Sequence, residues 1–228
     1  MKRRELLAVL TAAAMPTGST SRAQESEAQG SPARYTKEIA LPKPNIAGAV
    51  PLEKAIERRR SVRAFGPSPL PVGTIGQLLW AGQGITSPDG KRAAPSTGAL
   101  YALELCAVTA TEVMHYLPQG HRAETRATPD LRPQLKALAL DQSSVGAAPV
   151  VIAVAAEAGR LSQRYGDRAN AYSDLEVGHA AQNILLQAVA LGLGAVPVAS
   201  LDGAGAARTL ALPPGLTVVY LIPVGFAV

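Results

Sequence analysis

The chain has 228 residues, 47% of them apolar and 17% charged, with one cysteine and a formal net charge of +5. These values allow one domain with a sizeable core, or at most two small ones, and exclude a wholly disordered chain, a disulfide framework and a cysteine-rich zinc site. Residues 1–23 hold four of the 22 basic residues and one of the 17 acidic ones, so the remaining chain has a net charge of +2 and is not expected to bind nucleic acid.

The first 23 residues are predicted to be an export signal. Residues 2–4 (Lys-Arg-Arg) form a positive segment, residues 6–15 form a short apolar one, and cleavage is predicted near Ala23. As a helix the apolar segment covers about 15 Å, which is too short to span a bilayer. Residues 3–7 (Arg-Arg-Glu-Leu-Leu) also resemble a twin-arginine signal, although an ordinary signal can carry the same two arginines. The mature chain is therefore expected in the periplasm, without a membrane span.

The remainder is predicted to be a linker followed by one domain over residues 52–228. Residues 24–51 are interpreted as a linker and an extended arm that is ordered against a partner surface. Apolar periodicity predicts helices over 52–60, from an N-cap at Thr74 to Gly82–Gly84, over 131–140 and over 174–193. Leu52, Ala55 and Ile56 are predicted to share one face of the first helix, and Leu175 is part of an apolar stripe on the last. Short apolar runs predict strands over 102–110, 113–117, a stretch after residue 120, 149–156, 195–198 and 218–224. Interleaved strands and helices indicate an α+β or α/β domain.

Several common sites are excluded by the sequence. Residues 84–91 do not have the spacing of a phosphate-binding P-loop, and the chain has no Gly-x-Ser-x-Gly nucleophile elbow. His115, His121 and His179 are not spaced as metal ligands, so no metal site is predicted. Cys106 lies in an apolar run and is interpreted as a buried, inert thiol.

Three short segments carry the candidate chemistry. Residues 58–63 (Arg-Arg-Arg-Ser-Val-Arg) bring together guanidinium groups, which suit phosphate oxygens, although a solvated charge run at a helix end is the alternative. Residues 95–101 (Pro-Ser-Thr-Gly-Ala-Leu-Tyr) let backbone approach a flat ligand, or simply form a turn into a strand. Residues 192–197 cross from a helix to a strand and could present amides to a ligand.

In this order the segments resemble the nitroreductase-like family of flavoproteins over residues 52–225. The resemblance also includes residues 59–65, 176–183 (Glu-Val-Gly-His-Ala-Ala-Gln-Asn), 190–195 and 222–225. The form of residues 95–101 is most similar to the SagB-type dehydrogenase branch, which includes oxidases of peptide azolines. The resemblance implies an α+β fold with a mainly antiparallel sheet, a long central helix, and FMN at the interface of an intertwined homodimer.

The resemblance also implies a role for each matching residue. The phosphate and ribityl chain would be held by Arg59, Arg60, Ser61 and Arg63. The isoalloxazine ring would lie against Pro95, Ser96 and Gly98 of the partner chain. Backbone donors at Gly192, Gly194 and Ala195 would face the N5/O4 edge and stabilise the reduced ring.

Two departures from the family pattern stand out. Many members add a Lys or Arg near the C terminus as a further phosphate ligand, and residues 225–228 contain none. Azoline oxidases carry a Lys-Tyr pair before the long helix, where this chain has Arg164-Tyr165. Arginine is too weak an acid to act as a general base, whereas Tyr165 could donate a proton and is the catalytic candidate. His179 and Asn183 are interpreted as structural, His179 as a core histidine.

The expected function is that of an exported, FMN-dependent oxidoreductase. It would transfer hydride by a ping-pong mechanism from a reduced donor such as NAD(P)H to a small organic acceptor: a nitroaromatic, a quinone, an enone or a heterocycle. A flavin- or ligand-binding protein without turnover is the first alternative, which both departures favour. A dimeric structural protein on a degenerate fold is the second.

Overall fold

The structure is a computed structural model that describes residues 35–228. The predicted export signal and residues 24–34 of the predicted linker and arm lie outside the described residues. Within residues 35–228 the chain forms these elements in order: β1 (Lys37–Ala40), α1 (Leu52–Arg58), α2 (Val72–Gln83), β2 (Leu103–Val108), β3 (Glu112–Leu117), β4 (Arg122–Ala127), α3 (Arg132–Leu138), α4 (Ser143–Ala147), β5 (Val150–Ala156), α5 (Gly159–Tyr165), α6 (Ala169–Ala190), β6 (Gly194–Ala195), α7 (Gly203–Thr209) and β7 (Thr217–Gly225).

The strands form one seven-stranded sheet in the order β1-β4-β3-β2-β5-β7-β6, and every neighbouring pair is antiparallel. The predicted α+β class is therefore confirmed. The apolar runs predicted as strands become β2, β3, β5 and β7, and the stretch after residue 120 completes a meander as β4. Strand β5 is buried along its whole length, because helices cover both faces of the sheet.

Two layers of helices enclose the sheet. On one face the 22-residue helix α6 packs with α2, and Leu78, Leu79 and Ile184 are fully buried there. The other face is covered by α3, α4 and α7 through Leu135, Val145 and nearby apolar side chains. Helix α6 contacts residues 95–101 through Glu176 and leads directly into residues 192–195.

The N-terminal arm contacts its own chain. Residues predicted as an arm ordered against a partner surface include β1, which pairs with β4 at the sheet edge. Further along, the Asn45 amide donates to Gln77 Oε1 at 2.8 Å, and Gln77 Nε2 donates to the Asn45 carbonyl at 3.0 Å. The strand is four residues long at a sheet edge, so its sequence lacks the apolar run that reveals a buried strand.

Several helix predictions need correction. Helix α2 begins at Val72, directly after Pro71, and Thr74 lies inside its first turn. Helix α6 begins at Ala169 and ends at Ala190, so it starts five residues earlier and stops three residues earlier than predicted. The predicted apolar faces are only partly buried: Ala55 is buried, but the exposed fractions are 60% at Leu52, 56% at Ile56 and 59% at Leu175. Within residues 35–228, none of the helices has the length and apolar character needed to cross a bilayer.

A charged cluster on β2, β3 and β4 makes stability depend on pH. His115 Nε2 lies 3.0 Å from a Glu104 oxygen, and Nδ1 lies 3.4 Å from a Glu124 oxygen. Burial alone lowers the pKa of His115, but hydrogen bonds to Glu104 and Glu124 and their charges outweigh it and raise the pKa above its ordinary value of 6.5. Burial likewise raises the pKa of Glu104, and its bonds to His115 and Arg160 lower it overall.

We therefore expect the free energy of unfolding to fall as pH rises through the folded-state pKa of His115. A raised pKa means that protonated His115 stabilises the fold, a contribution fully present below pH ~6.5 and lost above the folded-state value. Denaturant unfolding at a series of pH values should show this decline in the wild type and not in His115→Gln. The exposed His179 supplies the control variant His179→Gln. Identical pH profiles for wild type and His115→Gln would contradict the assignment.

Candidate functional site

Residues 59–63 follow helix α1, and their polar side chains fall into two groups. Arg60 turns back, and its Nη1 donates to the carbonyls of Glu57 at 2.9 Å and Arg59 at 2.7 Å, which satisfies the end of the helix. The side chains of Arg59, Ser61 and Arg63 form no hydrogen bond or ion pair with any other part of residues 35–228. Ser61 and Arg63 are exposed and Arg59 is half-buried. Three donors of this segment are therefore available to a ligand, whereas Arg60 is engaged.

The structure brings this segment against the turn after α6. Ser61 pairs with Ala195 in a parallel bridge, and the Val62 amide donates to the Ala195 carbonyl at 3.1 Å. A Cβ atom at Gly194 would lie 2.6 Å from Cγ1 and 2.7 Å from Cβ of Val62. The close approach of the two segments therefore requires glycine at position 194.

The turn itself is built from the end of α6. Gly192 has φ of +73°, a left-handed conformation that glycine adopts without strain. Its amide donates to the Val189 carbonyl at 3.0 Å, and the Leu193 amide donates to the Ala188 carbonyl at 2.8 Å. Of the backbone donors expected in this turn, these two are used in ending the helix.

The loop over residues 95–101 is held in an unusual backbone conformation. Gly98, Ala99 and Tyr101 have φ of +64°, +55° and +50°, and such values are uncommon for residues other than glycine. The Tyr101 amide donates to Ser96 Oγ at 2.8 Å, and the Thr97 amide donates to Glu176 Oε1 at 2.6 Å. Strained backbone of this kind persists only where its surroundings fix it, and it is concentrated at functional sites.

Glu176 is a residue of the site that the sequence analysis did not single out. It lies on α6 with 2% of its surface exposed, and its second oxygen, Oε2, has no hydrogen-bond partner within residues 35–228. Its neighbours on the same helix, Val177 and Ala180, are buried apolar residues. The signal available in the sequence was a carboxylate among the apolar residues of a helix. Such a charge is normally buried only when it has a specific partner.

The candidate proton donor lies against the same loop. A Cβ atom at Gly98 would lie 2.6 Å from the Tyr165 hydroxyl and 3.0 Å from Arg164 Nη1. The Tyr165 ring packs edge-on against Tyr172 with centroids 5.2 Å apart. The structure thus brings Gly98 and Tyr165 together. Across the described part of the chain, no hydrogen bond or β-bridge joins this loop to residues 59–63.

Three residues predicted to be structural have different outcomes. His179 is exposed on α6, so its interpretation as a core histidine is wrong. Asn183 Nδ2 donates to the Ala93 carbonyl at 3.3 Å, which confirms a structural role. Cys106 is 1% exposed, and burial raises the pKa of its thiol to about 12, which confirms an inert side chain.

Together these features fit a ligand that carries a phosphate. Arg59 and Arg63 offer planar, permanently charged donors and Ser61 a hydroxyl, the groups best suited to phosphate oxygens. The missing side chains at Gly194 and Gly98 make room for Val62 and for the Tyr165 hydroxyl, and these contacts hold the two loops in place.

Comparisons with known proteins point the same way. The sequence model of the Nitroreductase family matches residues 56–226. A Methanocaldococcus jannaschii protein assigned as a nitroreductase is 37% identical over 169 residues, which cover 72% of this chain and 84% of the relative. A crystal structure from Ralstonia eutropha, also assigned as a nitroreductase, has a TM-score of 0.77 and 27% identity, with 86% of this chain and 92% of that chain covered. The NADPH:FMN oxidoreductase of Vibrio harveyi, complexed with NAD+, has the same fold, with a TM-score of 0.59, 22% identity, and 77% and 68% covered.

Proposed function

This chain belongs to the nitroreductase family, and we propose that it is an FMN-dependent oxidoreductase that transfers hydride from NAD(P)H or another reduced donor to a small organic acceptor. The observation that carries the proposal is the contact between residues 59–63 and Gly194-Ala195, which places the unpaired side chains of Arg59, Ser61 and Arg63 beside the turn that follows α6. Nitroaromatics, quinones, enones and heterocycles are the acceptor classes we propose.

The residues present fit FMN. Arg59, Arg63 and Ser61 would hold its phosphate, because their donors are unused within residues 35–228 and two guanidinium groups can neutralise a dianion. When bound, FMN supplies a two-electron carrier that takes hydride from one substrate and passes it to the next. Gly194 would keep these donors in place, because Val62 packs into the space that a side chain would fill there. Tyr165, with its hydroxyl beside Gly98, is the proposed proton donor to the acceptor.

We further propose a homodimer in which the loop of one protomer completes the site of its partner. A cluster of exposed apolar side chains supports this arrangement: Ile46, Leu52 and Leu191 line one surface cavity, with exposed fractions of 85%, 60% and 36%. Exposed apolar clusters of this kind are typical of a protein–protein interface. Size-exclusion chromatography with light-scattering detection should give a molar mass twice that of one chain.

We also propose that the protein is exported to the periplasm and is closest to the SagB-type dehydrogenase branch. The basic and apolar segments within residues 1–23 support export, and the form of residues 95–101 supports the branch. Fractionation of cells that produce the full chain, with residue 24 identified as the new N terminus, would test export directly.

The enzymatic proposal is tested by steady-state kinetics with NADH or NADPH and a nitroaromatic acceptor. A ping-pong mechanism predicts parallel double-reciprocal lines when the donor is varied at several acceptor concentrations. The variant Tyr165→Phe should lower turnover while leaving bound flavin unchanged, and it keeps the packing of the ring against Tyr172. Flavin that stays bound but is reduced by no donor, including chemical donors that support turnover, would favour a non-catalytic flavin-binding protein.

A further inference from the structure

The surface beside Gly98 carries two arginines packed on two tyrosines. The Arg164 guanidinium lies 5.5 Å from the centroid of the Tyr165 ring, and that of Arg168 lies 4.9 Å from the Tyr172 ring. The two rings meet edge-on at 5.2 Å, so the four side chains form one continuous group. We call this group, Arg164, Tyr165, Arg168 and Tyr172, the arginine–tyrosine ladder.

The charges of the ladder are not neutralised within the described chain. Both arginines are exposed, and neither forms an ion pair or a side-chain hydrogen bond with residues 35–228. By contrast, Arg160, one turn earlier, contacts Glu104 and Glu157 at 2.6 Å each. The acidic residues nearest to the ladder in the sequence, Asp167 and Asp174, form no ion pair with either ladder arginine within residues 35–228. The two ladder cations therefore remain free to bind an anion.

Packing on tyrosine also prepares these cations for binding. A guanidinium over an aromatic ring is held in orientation by the cation–π attraction, while its outer N–H groups stay free to bind both oxygens of a carboxylate. Arg168 also immediately precedes α6, where a cation is disfavoured by the helix dipole. A bound anion would offset that cost.

The ladder adjoins the proposed site. Arg164 Nη1 and the Tyr165 hydroxyl are the atoms nearest to a Cβ built on Gly98, at 3.0 Å and 2.6 Å. A ligand that approaches this loop from solvent therefore meets an aromatic edge and a guanidinium together. That pairing suits a molecule with a flat ring and a negative substituent.

We propose, on the basis of the function proposed above, that the arginine–tyrosine ladder selects aromatic carboxylates as acceptors. Arg164 and Arg168 bind the carboxylate at the mouth of the site, and Tyr165 and Tyr172 contact the ring. The chain thereby prefers an anionic acceptor over a neutral one with the same reducible group.

The test compares 4-nitrobenzoate with methyl 4-nitrobenzoate at low ionic strength. We expect the ratio of kcat/KM for the anion to that for the ester to fall about 10- to 100-fold in Arg164→Gln/Arg168→Gln, since a charge-assisted hydrogen bond is lost. The kcat/KM for the neutral ester should stay within about twofold of wild type. The variant Arg208→Gln removes an exposed arginine on α7 and should leave the ratio unchanged. The variant Arg164→Lys/Arg168→Lys, which keeps the charge, should recover part of it.

A binding measurement separates this proposal from the enzymatic one. Calorimetric titration of the flavin-loaded protein with benzoate should show binding that is lost in the double Gln variant, and benzamide should bind neither protein. This result would support the ladder even if neither nitro compound were turned over, an outcome that would overturn only the enzymatic proposal. An unchanged substrate ratio with unchanged benzoate binding would overturn the ladder's role. A raised KM for NADPH in the double Gln variant, with an unchanged ratio of kcat/KM for the two acceptors, would equally overturn the ladder's role. The arginines would then be assigned to binding of the electron donor.

Discussion

Replacing Arg59 and Arg63 together by alanine is expected to abolish flavin retention. Each guanidinium is proposed to bind the phosphate, and a hydrogen bond to a charged group contributes about 1.5–3 kcal/mol. Losing both should weaken FMN binding by about two to four orders of magnitude. The fold should be unaffected, because neither side chain has a hydrogen-bond or ion-pair partner within residues 35–228. Quenching of FMN fluorescence on titration with apoprotein measures the dissociation constant.

A matched control separates the site from net charge. Arg58→Ala with Arg208→Ala removes the same charge from exposed positions on α1 and α7. We expect this pair to retain FMN, with at most a small change that disappears at higher salt. Full retention of FMN by the Arg59→Ala/Arg63→Ala variant would refute the assigned role and leave the segment as a solvated charge run.

Replacing Gly194 by alanine is expected to destabilise the protein and to weaken flavin binding at the same time. The added Cβ would lie 2.6–2.7 Å from side-chain atoms of Val62, closer than real contacts allow. Val62 cannot turn away, because its own Cβ is one of the atoms struck and its amide is bonded to Ala195. We expect a loss of about 1–3 kcal/mol in the free energy of unfolding, typical of overpacking. Denaturant unfolding and FMN titration measure the two effects.

Two further variants test whether the effect of Gly194→Ala comes from the contact with Val62. Gly178 lies on α6 with nothing within 4 Å of an added Cβ, so Gly178→Ala should be neutral or stabilising by about 0.5–1 kcal/mol. Adding Val62→Gly to Gly194→Ala removes the Val62 side-chain atoms that would clash with the new Cβ. The double variant should therefore recover part of the lost stability and FMN binding. Equal stability of Gly194→Ala and Gly178→Ala would show that the two segments do not depend on their close contact.

Much of the sheet could be predicted because its strands are short, nearly continuous apolar runs. Strands β2, β3, β5 and β7 were each predicted to within a few residues, since burial by helices on both faces imposes that composition. Strand β1 and helices α4, α5 and α7 were missed because each holds at most one aliphatic side chain larger than alanine, which is too few to show a period. Periodicity places residues on a common face of a helix but does not show which of them are covered, so the exposure of Leu175 could not be predicted.

The candidate site was predictable in its parts but not in its geometry. The resemblance selected residues 59–63, 95–101 and 192–195, but the contact between Val62 and Gly194 depends on how α6 and β7 pack. The left-handed backbone at Ala99 and Tyr101 is invisible in the sequence, because neither residue type prefers it. Glu176 acquires meaning only when the Thr97 amide is found 2.6 Å from its carboxylate.

The most direct test of FMN dependence is an absorbance spectrum of purified residues 24–228, with mass analysis of the cofactor released on denaturation. We predict bands near ~370 and ~450 nm, as expected of an oxidised flavin, and release of FMN. A colourless protein that also fails to take up added FMN would contradict the account. It would show that Arg59, Ser61 and Arg63 do not bind a flavin.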